Sequence, residues 1–203
     1  YNLKISKLEQ LMTKYPGSEY GDDALYEIAR AYLMLENDNK AIVTYNRLVS
    51  TYPNSNLAPK ALLETGMVNF NEKDYTNAIP AFKKVIADYP GSEESNVALE
   101  SLETIFVEQN KVDEYLSYAK LLGRNVDNNL LAREDSLSFT AAEKQYINAN
   151  YESAISGLNS YISKFCPGGK FCSVALYYLA DSYYNTKDKI KYESTNDEGI
   201  SVI

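Results

Sequence analysis

The 203-residue chain has no histidine and no tryptophan, only two cysteines, and no long apolar run. Without histidine there is no imidazole to serve as base or ligand. Ser-His-Asp and Cys-His catalysis and the His-Glu-x-x-His zinc motif are therefore excluded. Two cysteines cannot supply the four ligands of a structural zinc site, nor a disulfide framework. They lie at Cys166 and Cys172, on either side of Pro167, Gly168 and Gly169. A bridge between them in an oxidising compartment and two half-buried thiols at a helix junction are both consistent with that spacing. No stretch approaches the roughly 20 apolar residues that cross a bilayer, and no signal-peptide pattern opens the chain. The first residue is Tyr1 rather than Met, which is expected of an excerpt or mature form of something longer. An export signal or lipid anchor would have been lost with such a start.

What is present is a 45% hydrophobic composition, enough for a buried core, and an unusual 19 tyrosines against 6 phenylalanines. Each tyrosine adds a polar tip to an apolar ring, which suits shallow cores and contact surfaces. The formal charge of −8 repels a phosphate backbone, so nucleic acid is excluded as the expected partner.

The strongest signal is internal repetition. Tyr15-Pro16-Gly17-Ser18, Tyr52-Pro53-Asn54-Ser55 and Tyr89-Pro90-Gly91-Ser92 recur with prolines 37 residues apart, and Cys166-Pro167-Gly168-Gly169 is a fourth related turn. Between the turns, apolar residues follow a three-and-four spacing. Ala24, Leu25, Ile28, Ala29, Tyr32 and Leu35 mark a first helix; Ala41, Ile42, Tyr45, Leu48, Val49 and Tyr52 mark a second. Glu36-Asn37-Asp38-Asn39 separates them, and Pro53 stops the second, because helical geometry is disfavoured before proline. Ser18, Ser55 and Ser92 stand where a hydroxyl can accept from an orphan helix N–H.

These residues resemble the tetratricopeptide repeat family. Leu25, Ile28-Ala29, Tyr32, Ala41, Tyr45 and Pro53 match its pattern, and Leu62, Thr65-Gly66, Asn69, Ala78, Phe82 and Pro90 match it again. The implied fold is all-α, a right-handed α–α superhelix of about five to six helical hairpins with no sheet. Ala29 or Gly66 would face Ala41 or Ala78, since only small residues let the two helices approach closely. The 37-residue spacing exceeds the family's usual length of about 34. In that it looks like the long-turn repeats of bacterial envelope proteins, which implies a periplasmic or outer-membrane-associated setting.

The expected organisation is a solenoid over residues 1–186: a partial repeat at 1–14, hairpins at 22–53, 59–90, 96–123 and 135–167, and a partial repeat at 173–186. An irregular joint is expected from Gly123 to Asn129 and an irregular tail over 187–203. A solenoid beginning and ending in mid-repeat has unpaired ends, which predicts association through them.

No chemistry-bearing motif survives inspection. Gly168-Gly169-Lys170 lacks the first glycine of a phosphate loop, whose place Lys164 occupies. Asp22-Asp23 and Glu93-Glu94 fall in first turns, where carboxylates offset the positive helix terminus. Asp38, Asp74 and Asp113 fall in turns within the repeats, and no EF-hand spacing occurs. Neither a cofactor nor a metal nor catalysis is expected. In a stack of hairpins the first helices line the concave wall, so their non-core residues are the expected contact surface for a protein or peptide. These are Tyr26, Glu27, Arg30, Leu63, Met67, Phe70, Phe139, Glu143, Tyr146, Tyr177 and Asp181. Aromatic and aliphatic anchors with an acidic surplus suit a peptide with apolar anchors and some positive charge. The rival reading is a structural segment of a larger repeat protein, packed on its own further repeats.

Overall fold

The computed structural model describes residues 1–123 and 130–186. The expected joint over 124–129 and the tail over 187–203 lie outside the described residues. The described chain is entirely helical: α1 (Asn2–Lys14), α2 (Gly21–Leu33), α3 (Asp38–Thr51), α4 (Ala58–Asn71), α5 (Tyr75–Asp88), α6 (Glu93–Glu108), α7 (Val112–Leu121), α8 (Leu130–Ile147), α9 (Tyr151–Phe165) and α10 (Cys172–Asn185). It forms two compact units, Tyr1–Leu102 and the residues from Glu103 onward.

Within a hairpin, every inner turn is built alike. Glu36, Lys73, Asn110 and Ala149 all take a left-handed φ between 54° and 59°, and they stand 37, 37 and 39 residues apart. At each, the left-handed residue donates to the carbonyl three back, and the next residue donates to the carbonyl five back. Thus Glu36 N–H bonds Leu33 and Asn37 N–H bonds Tyr32, and the pattern repeats at Lys73–Asp74, Asn110–Lys111 and Ala149–Asn150. This pair of bonds is the Schellman arrangement that satisfies orphan carbonyls at a helix end. Glycine usually fills the left-handed place; no turn here uses it. In the first two turns the following residue then caps the second helix: Asn37 accepts from Lys40 N–H and Asp74 from Asn77 N–H.

The outer turns of the first unit are equally regular. Tyr15, Tyr52 and Tyr89 end α1, α3 and α5 with φ near −130° and ψ between 57° and 67°, outside the helical basin as a pre-proline residue must be. Each turn also holds its predecessor. The Tyr52 ring lies so close on Gly21 that a Cβ there would sit 2.1 Å from its hydroxyl oxygen. Ser55 donates to Asp22 at 2.5 Å, and Tyr89 donates to the Pro53 carbonyl at 3.3 Å. The bond from Ser55 is the main reason Asp22 holds its carboxyl below the usual range. Ser92 receives Ser95 N–H as a helix cap. Ser18 and Ser55 instead accept from Tyr20 and Leu57, before α2 and α4 begin, so they brace the turn and do not cap the helix.

The hairpin of α4 and α5 closes on a small residue: a Cβ on Gly66 would meet the Phe82 ring at 2.5 Å, so the glycine in α4 makes room for an aromatic in α5. The core of the first unit includes Leu25, Ile28, Tyr45, Leu48, Leu62, Phe82 and Val85. That of the second gathers Phe139, Ala142, Ala154, Leu158, Tyr161, Cys172, Ala175 and Leu179.

Candidate functional site

In the first unit, half-buried residues of α2 and α4 lie within electrostatic reach of the start of α6. Tyr26 on α2 is half-buried, and its hydroxyl lies within electrostatic reach of Glu64 on α4 and Glu94 on α6. Burial first, then the Glu64 carboxylate, pushes the Tyr26 hydroxyl above its ordinary value. Glu27 is bound by Lys4 of α1 and by Arg30, and the Lys4 bond is the main cause of its lowered carboxyl. Glu64 and Glu94 form no ion pair among the described residues. Beneath Tyr26, with ring centroids 5.5 Å apart, lies Tyr45, fully buried and with a hydroxyl that finds no hydrogen-bond partner. Burial, followed by Glu64, raises its pKa as well.

Leu63 and Met67 of α4 are half-buried, and the Ser101 hydroxyl lies 3.8 Å from the Met67 sulfur. Phe70 of α4 is half-buried as well. Its ring lies 6.0 Å from Tyr75 and 6.4 Å from Phe82, packed on the second helix of its own hairpin.

The second unit arranges its candidates differently. Tyr146 of α8 stacks on Tyr178 of α10 at 4.2 Å and donates to Asp181 at 2.9 Å. Tyr178 donates to Glu143 at 3.4 Å, and Asn185 donates to the Asp181 carboxylate at 2.9 Å. Burial, then the Asp181 bond, pushes the Tyr146 hydroxyl up to about 12. Tyr177 stands out from α10 at 63% exposure. Four of the candidates, Glu143, Tyr146, Tyr177 and Asp181, thus gather around Tyr178, which sequence reasoning passed over.

Phe139 was expected on the contact surface and is instead core, 4% exposed. It shares the inward stripe of α8 with Asp135 and Ala142, stacked 4.4 Å from Phe171 and edge-on to Tyr161. Its neighbour Asp135 is a buried carboxylate that accepts from the Tyr161 hydroxyl and from Lys170 N–H, while Phe171 N–H donates to the Tyr161 oxygen. Gly169 N–H donates to the Phe165 carbonyl, so the Gly169 and Lys170 amides of that turn are both taken up by this protein's own groups. Cys166 and Cys172 are joined as a disulfide across that turn, with Cα atoms 5.6 Å apart. Among the described residues no group of His, Cys, Asp and Glu is placed to hold a metal, and no helix is long and apolar enough to cross a membrane.

Residues 23–55 and 60–92 match the family profile of the tetratricopeptide repeat. No curated protein matches the chain. Solved structures of similar fold include a tetratricopeptide repeat protein from Parabacteroides merdae, at 12% identity and TM-score 0.47, covering 97% of this chain and 71% of that one. YrrB, described as a TPR protein with an unusual peptide-binding site, aligns at 15% identity and TM-score 0.43, covering 96% of this chain and 91% of that one. MamA from Desulfovibrio magneticus RS-1 aligns at 13% identity and TM-score 0.43, covering 89% and 93%.

Proposed function

We propose that this chain, whose residues 23–55 and 60–92 are tetratricopeptide repeats, holds a peptide segment of another protein on the surface shared by α2, α4 and the start of α6. Repeats of this family serve in general as protein–protein interaction scaffolds, and they are generally non-catalytic. The observation that carries the finer reading is the half-buried Tyr26 ring of α2 packed on Tyr45, with Glu64 of α4 and Glu94 of α6 near enough to act on its hydroxyl. Half-buried Leu63 and Met67 add apolar anchorage, while the exposed Val43 of α3 faces elsewhere. The Cys166–Cys172 disulfide supports an oxidising compartment such as a bacterial cell envelope.

The test is selection of short capped peptides on the full chain, followed by affinity measurement on variants. Tyr26→Ala and Met67→Ala should each weaken binding by about tenfold, in the range for truncating a contact anchor, and Val43→Ala should leave it unchanged. Equal binding by all three variants sinks the assignment.

A second reading, docking of further repeats, draws on Tyr15. Tyr52 and Tyr89 are latched onto the preceding turn, whereas Tyr15 is 64% exposed. Self-association abolished by Tyr15→Ser would favour it.

A further inference from the structure

The peptide surface of the first unit has an unbalanced centre. Lys4 and Arg30 both bind Glu27, and among the described residues Glu64 and Glu94 form no ion pair. Carboxylates alone are an ordinary solvated face. What distinguishes this place is the Tyr45 hydroxyl, fully buried and unpartnered below Tyr26, with Glu64 the foremost of the charged groups acting on it. A buried hydroxyl without a partner is a cost that folding tolerates rarely, and one lying under a half-buried ring can be relieved from the surface side. Relief requires a group that brings several N–H donors, because the neighbouring carboxylates and the hydroxyl oxygen can all accept.

We propose, resting on the peptide-binding reading above, that the partner segment places an arginine at this point. Its planar guanidinium stacks on the Tyr26 ring, pairs with Glu64 and Glu94, and donates to the Tyr45 oxygen once the Tyr26 ring turns aside. Arginine fits better than lysine here because its five donors lie in one fixed plane that both stacks and forks, whereas an ammonium is a compact, strongly hydrated point charge. Arg30 is the internal competitor: it reaches the same neighbourhood but is held off by Glu27.

The experiment selects short capped peptides of random sequence on the full 203-residue chain, then resynthesises the best binders with arginine replaced by lysine or glutamine. Selected peptides should be enriched in arginine. The glutamine versions should bind about tenfold more weakly, the size of a lost charge-assisted contact, and the lysine versions should fall between. Glu64→Gln should erase most of that difference. Tyr45→Phe provides a readout of opposite sign: it removes the orphan hydroxyl, so the free chain should melt no lower, yet its affinity for arginine peptides should drop. Peptides that depend on Tyr26 and Met67 but show no arginine preference, or that bind Glu64→Gln and Tyr45→Phe undiminished, overturn the arginine while leaving the groove standing. Peptides indifferent to Tyr26 overturn both.

Discussion

The two units solve the same problem with tyrosines in opposite ways. In the second, three tyrosine hydroxyls are given a carboxylate of the chain's own: Tyr146 has Asp181, Tyr178 has Glu143, and deeper down Tyr161 has Asp135. In the first, among the described residues the Tyr45 hydroxyl has no hydrogen-bond partner and Glu64 and Glu94 form no ion pair. Hydrogen bonds completed within the chain rigidify a surface and leave it little to offer, while incomplete ones leave a surface ready for an incoming group. Sequence composition alone, acidic and tyrosine-rich throughout, does not separate the two.

The largest expected effect lies in the self-satisfied unit. Replacing Asp135 by Ala leaves the buried Tyr161 hydroxyl and the part-buried Lys170 amide without their acceptor. At about 1–3 kcal/mol for each orphaned group, the second unit should lose roughly 2–6 kcal/mol in chemical denaturation. An unchanged midpoint would mean that the network adds nothing.

A smaller and opposite effect tests whether the units share their inner turns. Lys73→Gly in the first unit and Ala149→Gly in the second place glycine at a left-handed φ of 59° and 58°. Each should stabilise by up to about 1 kcal/mol, since glycine carries no Cβ penalty there. Loss of stability would show that the side chains contribute more than the backbone strain removes.

A third effect is alkaline. Burial and the carboxylate bonds push Tyr146 and Tyr161 up to about 12, so the folded state favours their neutral forms. A raised folded pKa gives stability that is complete below the ordinary tyrosine value and lost as pH climbs from there through about 12. Stability followed against pH should fall in that window, and less steeply in Tyr146→Phe and Tyr161→Phe. Parallel curves for wild type and variants would count against this linkage.

The repeat itself was plain in the sequence because prolines and helical spacing announce it. The outer turns at Tyr15, Tyr52 and Tyr89 were readable from Pro and Ser alone. The inner turns were placed by Glu36-Asn37-Asp38-Asn39 and by Asp74 and Asp113, but their left-handed geometry was not, since Glu36, Lys73, Asn110 and Ala149 adopt a glycine-like conformation with no glycine to signal it. The units after Ser92 look irregular in sequence because no Tyr-Pro closes the first of them, although their inner turns at Asn110 and Ala149 are the same device. Phe139 was misjudged because helical spacing places it on the non-core side of α8, whereas the 166–172 turn folds Phe171 over it. Glu94 was read only as a first-turn carboxylate offsetting a helix terminus, and nothing in the local spacing linked it to Glu64. Their meeting at Tyr26 depends on how successive hairpins stack, which local spacing does not encode.

The most direct test of the central claim is to map, by NMR on the full chain, where a selected peptide perturbs backbone and side-chain signals. The account predicts perturbations concentrated at Tyr26, Leu63, Glu64, Met67 and Glu94. Perturbations confined to the exposed faces of α3 and α5, or to the end marked by Tyr15, would contradict it.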